Sequence, residues 1–560
     1  MARARHAYPQ VEPGALAGAV PVIPAPSPAV TVRQALRRCR DAGAAALVLG
    51  PGRAVRRADL ERAMAWGLGR LRAHRLALRG VPVVAAQASE VSVRRRLAGG
   101  APMVLIAAGR RPVGVVEAPP DLARPLHSVA RELERLALEG GEPDVWLLRL
   151  CGKVAEGMGV RVHAVGGFVR DLLLGRRTGE LDVVVEGDGP GFARRLAEEL
   201  GARLTVHAPF GTASLVGGRG PDGARVGRVD VTTARREHYR APGALPRVER
   251  AGIVEDLRRR DFSAHALAMP LAPEAFGQLL DPWGGHADLE ARRLRLLSPL
   301  AFVEDPTRVF RAARYATRLG FRLDRDGRAA LGLALAVGRY PALSGDRLRA
   351  EVGLVLDEPH PWRALAWLGR HGALGLWDPR VVAGPRLDRR LGVARRLATR
   401  ARAAALGLDG LTLALVAVLG AERPPVQRAC LARLAFTGQP GRALAAMARG
   451  PALARWLAAA PRPSLVVRRL LPLAEAALVA AWLAGGPGAR TRLWWFWTAG
   501  RRARPALTGD DLLGLGVARG PAVGTLLATL RDGTLDGRLD GAAAERALVT
   551  AWLRRKGGNT

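Results

Sequence analysis

The distribution of apolar and polar positions divides the chain near residue 298. Before this point, short apolar runs bounded by Gly, Pro and charged residues alternate with stretches of helical periodicity, which is typical of mixed strands and helices. Beyond it, Ala, Leu and Arg recur at helical spacing between short Gly and Pro breaks. We therefore predict an α/β part followed by an all-α part, with three or four domains, because 560 residues are too many for one core.

A weak internal repeat occupies residues 26–118. Each copy has a helix that opens on Thr or Ser, at Thr31 and Ser92, followed by a short apolar strand and a turn. The predicted strands are residues 44–49, 103–107 and 112–117, and a further helix opens at Arg57. Residues 1–25, rich in Pro, are predicted to be a disordered leader, and residues 119–145 a helical linker.

The chain is strongly basic. Lys and Arg number 86 against 50 Asp and Glu, which gives a formal net charge of +36, and nearly all the basic residues are Arg. Such an excess attracts polyanions, of which RNA is the obvious one. The alternative is a basic surface that only keeps the protein soluble.

The cysteines and the apolar runs favour a cytoplasmic protein. Cys39, Cys151 and Cys430 have no pairing or metal spacing, so we expect buried or free thiols in a reducing compartment. Residues 1–28 lack the apolar core of a signal peptide. The longest apolar run, residues 470–484, is interrupted by Pro and Glu and is too short to span a bilayer, so we predict no membrane association.

Two glycines precede a predicted helix at residues 169–174. Gly166 and Gly167 would let backbone N–H groups approach an anion closely, with the helix dipole assisting. A Gly-Gly pair alone is a weak signal, and the Arg170-Asp171 pair behind it makes the signal more specific.

Three carboxylates fall at or within predicted strands. Glu180 and Asp182 are two apart at the entry to an apolar strand, so both side chains face the same way. Asp230 lies inside another strand, where a lone acid is costly unless it is paired or metal-bound. Together they could hold Mg²⁺ ions for attack on a phosphate. The alternative for the first pair is a solvated turn acid beside a strand acid.

Two later segments combine acidic and basic side chains. Arg260 and Asp261 lie in a charged run, where arginines can grip a triphosphate or a ribose. Glu304, Asp305 and Arg308 flank a proline that suits the first turn of a helix, which would place Asp305 and Arg308 on one helical face to recognise a base edge. The alternatives are a surface ion-pair run and N-terminal helix capping.

Together and in this order, these features resemble the class II branch of the tRNA nucleotidyltransferase and bacterial poly(A) polymerase family, within the DNA polymerase β superfamily. The family pattern is Gly-Gly-x-x-Arg-Asp, carboxylate-x-carboxylate, a later strand acid, Arg-Arg-Asp-Phe and Glu-Asp-x-x-Arg, and each part has a counterpart here. The resemblance covers residues 145–550. It implies a polymerase-β-like head with a mixed sheet at 146–298, a nucleotide-selecting helical neck at 299–360, and a helical, RNA-binding body and tail at 361–560.

The resemblance also implies roles for the site residues. Glu180, Asp182 and Asp230 would be catalytic and would hold two Mg²⁺ ions. The nucleotide, ATP or CTP, would be bound by Gly166, Gly167, Arg170, Arg260, Asp261, Glu304, Asp305 and Arg308. The acceptor would be the 3′ end of a tRNA, and the order of segments is most similar to the A-adding branch.

The internal repeat resembles a tandem cystathionine-β-synthase-type (CBS) module. Such modules often bind adenosine ligands, and Asp59 stands where an acid would hold the ribose, whereas the second copy has no equivalent Asp. CBS pairs commonly associate, so the resemblance also implies a possible homodimer. The alternative is a purely structural or dimerising module.

Two departures from the family pattern motivate a second hypothesis. Glu180 stands where the family usually has Asp, and its extra methylene moves the carboxylate by about 1 Å, a shift that can slow a reaction about 10²-fold. His265 stands where Asn is usual. A catalytically weakened RNA-binding or adenine-nucleotide-sensing protein is therefore one alternative function, and a poly(A) polymerase is another. The sequence leaves open whether CC, A, CCA or poly(A) is added.

Overall fold

A computed structural model of the chain describes residues 19–98, 101–117, 127–177, 179–381 and 384–557. The chain divides into two units, Met1–Leu343 and Ser344–Thr560. The division falls inside the segment 299–360 that we predicted to be a neck. Most of the predicted leader, and residues 118–126 at the start of the predicted linker, lie outside the described residues.

The N-terminal module, residues 20–117, is built around one sheet. Its elements are β1 (Val20–Pro24), α1 (Val32–Asp41), β2 (Ala46–Gly50), β3 (Arg53–Arg56), α2 (Arg57–Ala65), β4 (Leu78–Arg79), β5 (Val83–Ala85), α3 (Glu90–Ala98), β6 (Met103–Ala108) and β7 (Arg111–Glu117). The order of the seven strands seen in the described residues is β4-β3-β2-β1-β7-β6-β5. β1 and β2 are parallel, as are β5 and β6, and β3 and β7 each turn back antiparallel. The predicted repeat is therefore present as two strand–helix–strand–strand copies.

The first strand of each copy lies where we did not predict one. β1 falls within the predicted leader, although two of its five residues are prolines. It forms because Val22 and Ile23 are buried and because its backbone pairs with β2 on one side and β7 on the other. Burial and non-local pairing thus outweigh the local proline signal. The helix start predicted at Thr31 is confirmed, since its side chain caps α1 in a capping box with Gln34.

The remainder of the first unit contains a second sheet and several two-stranded ladders. Its strands and smaller ladders are β8 (His127–Ser128), β9 (Arg161–Val165), β10 (Glu180–Glu186), β11 (Arg203–His207), β12 (Thr212–Val216), β13 (Arg228–Thr233), β14 (Arg235–His238), β15 (Arg247–Arg250), β16 (Ala268–Pro270), β17 (Gln278–Leu279), β18 (Arg293–Leu294) and β19 (Arg322–Leu323). The main sheet has the order β11-β12-β13-β10-β9-β16. β10 and β13 pair in parallel and their other neighbours pair antiparallel, so the predicted mixed sheet is confirmed.

Helices surround this sheet and extend beyond it. They are α4 (Ala130–Leu136), α5 (Glu142–Gly157), α6 (Gly167–Leu173), α7 (Gly189–Leu200), α8 (Ile253–Arg258), α9 (Gly285–Glu290), α10 (Ala301–Glu304), α11 (Thr307–Leu319) and α12 (Arg325–Val337). α7 packs on β12 and β13, while α6 packs beside β9 and β10. A short 3₁₀ helix, Ser263–His265, links α8 to β16.

The second unit is helical, as the periodicity predicts. Its helices are α13 (Gly345–Leu356), α14 (Pro361–Arg370), α15 (Pro385–Ala403), α16 (Gly410–Leu419), α17 (Pro424–Arg433), α18 (Gly438–Ala445), α19 (Gly450–Ala458), α20 (Pro463–Leu470), α21 (Glu475–Ala484), α22 (Pro487–Thr498), α23 (Gly509–Gly514), α24 (Pro521–Leu535) and α25 (Gly541–Gly557). Several of them begin with a proline, which needs no N–H partner in the first turn. α16 and α21 pack against each other and are buried along most of their length.

The apolar stretches of the second unit form its core. Phe496 and Trp497 are buried, and Trp494 lies under the guanidinium group of Arg400 at 3.9 Å. In the part of the chain that the structure describes, no helix has both the length and the apolar character needed to cross a bilayer. All three cysteines are buried free thiols.

Candidate functional site

Three acidic side chains share one face of the second sheet. β10 and β13 run parallel, with Asp182 directly opposite Asp230 and Glu180 opposite Arg228. Residues two apart on a strand, and residues opposite each other in a ladder, lie on the same side of a sheet. Glu180, Asp182 and Asp230 therefore form one group, which we call the carboxylate face. Asp230 lies inside a strand, as we predicted, and that strand pairs with the strand of Asp182.

The charges of the carboxylate face act on Asp182. Burial is the largest influence and raises the pKa of Asp182, and the carboxylates of Asp230 and Glu180 raise it further. Arg260 opposes this rise, as does a hydrogen bond donated by the backbone N–H of Gly167. The carboxylates of Asp230 and Glu180 are thus close enough to Asp182 to repel its charge.

The carboxylate of Asp230 has partners of its own. The hydroxyl of Ser214 donates to it, and the Nε atom of Arg228 donates to it at 3.0 Å. Within the described ranges, no three His, Cys, Asp or Glu side chains are gathered closely enough to hold a metal ion. The carboxylate oxygens match the ligand preference of Mg²⁺, since hard divalent cations bind oxygen. The donor set therefore fits this ion in chemistry, and the side chains are not gathered around a single point.

The predicted glycine pair lies beside this face. Gly166 caps α6 with a positive φ of 64°, and a Cβ atom there would lie 2.7 Å from Nη1 of Arg260. The backbone conformation therefore requires glycine, and a Cβ atom would also displace the end of the Arg260 side chain. Cβ atoms at Gly166 or Gly167 would each lie 3.6 Å from the Asp182 carboxylate. Three motifs that are distant in sequence thus meet at one point.

Arg170 and Asp261 belong to a buried network behind the glycine pair. Arg170 donates to both carboxylate oxygens of Asp171 and, at 2.8 Å, to Nε2 of His265. Nδ1 of His265 lies 2.8 Å from Asp261, which also accepts from Arg311. The side chains of Arg170 and Asp261 are therefore bound to other protein groups in a buried position, whereas we had assigned both to nucleotide contact from the sequence.

The protonation of this network follows from its burial. Burial lowers the pKa of His265 to about 4 despite the neighbouring Asp261, so the ring is neutral near pH 7. A neutral ring can donate from Nδ1 to Asp261 and accept at Nε2 from Arg170. Burial alone would raise the pKa of Asp261, but the charge of Arg311 and the hydrogen bonds from Arg311 and His265 hold it well below its usual value.

Arg260, next to Asp261, has a different environment. Its Nη2 atom donates to Asp256 at 3.1 Å, and its charge acts on Asp182. Asp256 is fully buried and also binds Arg259. We did not single out Asp256 from the sequence, although its spacing of three and four residues from the two arginines is the usual spacing of helical ion pairs.

Glu304, Asp305 and Arg308 do not lie as we predicted. Asp305 is extended, with φ −135° and ψ 99°, and its carboxylate accepts from the backbone N–H and hydroxyl of Thr307. The predicted shared helical face of Asp305 and Arg308 is therefore wrong, because a residue that precedes proline avoids helical conformation. Glu304, the last residue of α10, instead faces Arg308, with Nη1 3.4 Å from Oε2.

A cavity of about 510 Å³ opens at Glu304 and Arg308. We call it the Glu304 cavity; its walls include Arg56, Arg62, Trp66, Tyr239, Arg258, Arg260, Glu304 and Arg308. Its size is typical of small-molecule sites. Burial lowers the pKa of Arg258, and the neighbouring charges of Arg56 and Arg62 lower it further. The lining contains seven arginines and five glutamates, and this excess of positive charge favours an anionic ligand.

The N-terminal module contributes part of this wall. Nη1 of Arg62 on α2 donates to Oε1 of Glu304 at 2.6 Å. Asp59, predicted to hold a ribose, is fully buried, and its two oxygens accept from Arg56 at 2.8 Å and from Arg62 at 2.5 Å. Asp59 therefore anchors two arginines, and its carboxylate does not line the cavity.

Comparisons with known proteins converge on one family. The Poly A polymerase head domain family matches residues 162–295. The A-adding tRNA nucleotidyltransferase of Geobacter sulfurreducens is 44% identical over 260 residues, which are 46% of this chain and 28% of that protein. The CC-adding tRNA nucleotidyltransferase of Deinococcus radiodurans is 34% identical over 413 residues, which are 73% of this chain and 93% of that protein.

The comparison with solved structures gives a similar result. The solved structure of the Thermotoga maritima CCA-adding enzyme complexed with tRNA_CCA has a TM-score of 0.64 and 26% identity, and the match covers 77% of this chain and all of that one. The chain spans only about a quarter to a half of the length of the A-adding relatives that it matches.

Proposed function

Because the chain belongs to the tRNA nucleotidyltransferase family, we propose that it is a template-independent enzyme that adds AMP, CMP or both to the 3′ end of tRNA. The observation that carries this proposal is the carboxylate face, where Asp182 and Asp230 lie in register beside Gly166 and Arg260. Transfer of a nucleotidyl group requires acids that can hold metal ions, backbone that can approach the phosphates closely, and a cation to pair with them. The carboxylate face, the glycine pair and Arg260 provide these three features.

The nucleotide would bind between the carboxylate face and the Glu304 cavity. Arg260 borders both, so its guanidinium group would pair with the triphosphate. Glu304 offers an acceptor and Arg308 offers forked donors to a base edge. Asp305 supports them by capping the first turn of α11. Arg170 and Asp261 would act from behind, by fixing the position of His265 and of the segment that carries Arg260.

Mg²⁺ would be held by Asp182, Asp230 and Glu180, and when bound it would lower the pKa of the RNA 3′-hydroxyl and neutralise the leaving pyrophosphate. The raised pKa of Asp182 supports this assignment, since an acid that is buried beside two others is stabilised by a cation. Glu180 is more exposed than Asp182, so its longer side chain has room to reach the same ion. When Asp230 binds the ion, its carboxylate would either keep the hydrogen bonds from Ser214 and Arg228 or lose them.

The acceptor tRNA would bind to the arginines of the second unit. Arg501, Arg502 and Arg504 are candidates for phosphate contacts, because they follow α22 and are partly or fully exposed. Arg468 is a weaker candidate, since it pairs with Asp532. The A-adding subtype, the two-ion stoichiometry and a cytoplasmic location remain predictions.

We also propose that the N-terminal module is a CBS-type pair that can bind an adenosine ligand or form a homodimer. The two strand–helix–strand–strand copies support the first part of this proposal. Because both oxygens of Asp59 accept from arginines, a ligand in the first copy would have to be bound by other groups.

The test is incorporation of labelled ATP and CTP, separately and together, with Mg²⁺. The acceptors are tRNA transcripts that end before CCA, after one C and after CC. Addition of a single A to the CC-ending tRNA supports the A-adding subtype, and full CCA on the shortest acceptor supports the complete activity. Long A tracts on unrelated RNA would indicate a poly(A) polymerase. Binding of ATP without incorporation on any acceptor would favour the nucleotide-sensing alternative.

A further inference from the structure

Arg62 links the N-terminal module to the Glu304 cavity. It lies on α2, and its two terminal nitrogens reach different carboxylates, Glu304 at 2.6 Å and Asp59 at 2.5 Å. Glu304 and Arg62 are 242 residues apart in the sequence. The planar guanidinium fork has its donors at fixed angles, so it sets direction as well as distance.

Both carboxylates depend on Arg62 because both are buried. The side chain of Asp59 is fully buried and that of Glu304 is 8% exposed. Asp59 keeps Arg56 as a second partner, and it fixes the direction in which Arg62 points. A buried charge without a partner is costly, so loss of Arg62 would force Glu304 towards another cation.

Arg308 is a second cation in contact with Glu304. It approaches Glu304 at 3.4 Å, a longer contact than that of Arg62. Arg308 also donates to the backbone carbonyl of Arg259 at 2.8 Å and lies 3.4 Å from the hydroxyl of Tyr239. Arg62 thus occupies one oxygen of Glu304, and Arg308 approaches the other oxygen through Nη1 at 3.4 Å, a longer contact than a two-point pair would have. The same Nη1 atom lies 3.5 Å from the carbonyl oxygen of Ala301, so both of these contacts are long.

We propose that Arg62 is a positioning residue for nucleotide selection, which acts through Glu304 to keep Arg308 available to the base. The inference rests on the proposed function, because it concerns the same nucleotide site. Without Arg62, Glu304 pairs with Arg308, and the discrimination between adenine and cytosine is reduced. The N-terminal module is then part of the nucleotide site.

The test compares the full-length wild type with R62Q, R62K and R57Q in steady-state addition of ATP and CTP to the same tRNA acceptors. R62Q is expected to change the ratio of kcat/KM for ATP to that for CTP by about tenfold, mainly through KM, which is the size expected for one lost charge-assisted hydrogen bond. R62K, which keeps the charge, is expected to lie between R62Q and wild type. R57Q is the matched control, because Arg57 lies on the same helix and its ion pair, with the partly exposed Glu61, is long at 3.8 Å.

A double-mutant cycle shows whether Arg62 acts through Glu304. In an E304Q background, R62Q is expected to change the nucleotide ratio less than about twofold, because the contact is already lost. An undiminished effect of R62Q in that background would overturn the inference, as would an R62Q variant that is active with an unchanged ratio. Tighter nucleotide binding by R62Q would also overturn it, because Arg62 would then block the site.

The failure of the inference can be told apart from the failure of the proposed function. If the wild type incorporates no nucleotide, the proposed function fails, and equilibrium dialysis of ATP and CTP against wild type and R62Q tests Arg62 directly. An unchanged ratio of the two Kd values in R62Q then overturns the inference, and a wild type that binds neither nucleotide overturns both.

Discussion

The carboxylate face and the Glu304 cavity are both bordered by Arg260, and they are built in different ways. Asp182 and Asp230 are placed by the hydrogen-bond register of two neighbouring strands, so the backbone fixes their positions. Glu304 and Arg308 are placed by side-chain pairs between distant segments, including one with the N-terminal module. The first arrangement tolerates changes in neighbouring side chains, whereas the second depends on each member of a chain of ion pairs.

This difference predicts where substitutions change chemistry and where they change selectivity. A variant of the carboxylate face should lose rate and keep its fold, because strand pairing does not require the acid. A variant of the Glu304 cavity or of the network behind it should alter nucleotide choice or stability. The predictions below test this division, beginning with the largest effect.

The largest effect is expected for D230N. Asparagine keeps the size of the side chain and an acceptor for Ser214 and Arg228, but it removes a charge from the face. We expect the rate of nucleotide addition to fall by about 10²- to 10³-fold, the usual loss for one preorganised electrostatic group. The matched control is S214A, which removes a partner of Asp230 and keeps the acid. Equal losses in D230N and S214A, measured by single-turnover labelling, would contradict the account.

Substitution of Gly166 should have the next largest effect. In G166A the new Cβ atom would lie 2.7 Å from Arg260, and alanine would also be strained at φ 64°. Displacement of Arg260 by about 1 Å is expected to reduce kcat/KM by about 10²-fold. The control is G157A, at the end of α5, where an added Cβ has open space. A G166A enzyme with wild-type kinetics would show that the close approach has no role.

The carboxylate face and the Glu304 cavity also differ in how much of each could be predicted from the sequence. The acids of the carboxylate face and the glycine pair could be placed from the sequence because strand alternation and helix entry are local patterns. The pair between Arg62 and Glu304 could not, because no local pattern reports a contact across 242 residues. Asp305 was assigned to the wrong conformation, although the proline after it was visible. β1 was missed because its prolines outweighed two buried apolar residues in the sequence pattern.

The buried network behind Gly166 should contribute to stability. H265A leaves Arg170 and Asp261 each without one hydrogen-bond partner in a buried position. We expect the free energy of unfolding to fall by about 2 kcal/mol, as for other buried polar groups that lose a partner. Urea titration of H265A against the control H238A, whose side chain is 55% exposed, measures this effect. A stability loss no greater than that of H238A would exclude a structural role for the network.

The same histidine should produce a smaller, graded dependence of stability on pH. Its pKa is 6.5 when unperturbed and about 4 in the folded chain, so between these values the unfolded chain binds more protons. The free energy of unfolding should therefore fall as the pH is lowered from about 6.5 towards 4. Burial also lowers the pKa of His163, which adds a contribution of the same sign. H265N should flatten the pH dependence only in part, and an unchanged slope would show that His265 is protonated in the folded state.

The central claim is that the carboxylate face carries out nucleotide addition. It is tested most directly by the rate at which wild type, D182N and E198Q add labelled AMP to a CC-ending tRNA in the presence of Mg²⁺. Glu198 is an exposed acid on α7 and serves as the control. We predict wild-type rates for E198Q and a loss of about 10²- to 10³-fold for D182N, as for D230N. D182N should be at least as resistant to urea as wild type, because a buried, repelled charge is removed. Addition by D182N at the wild-type rate would contradict the account.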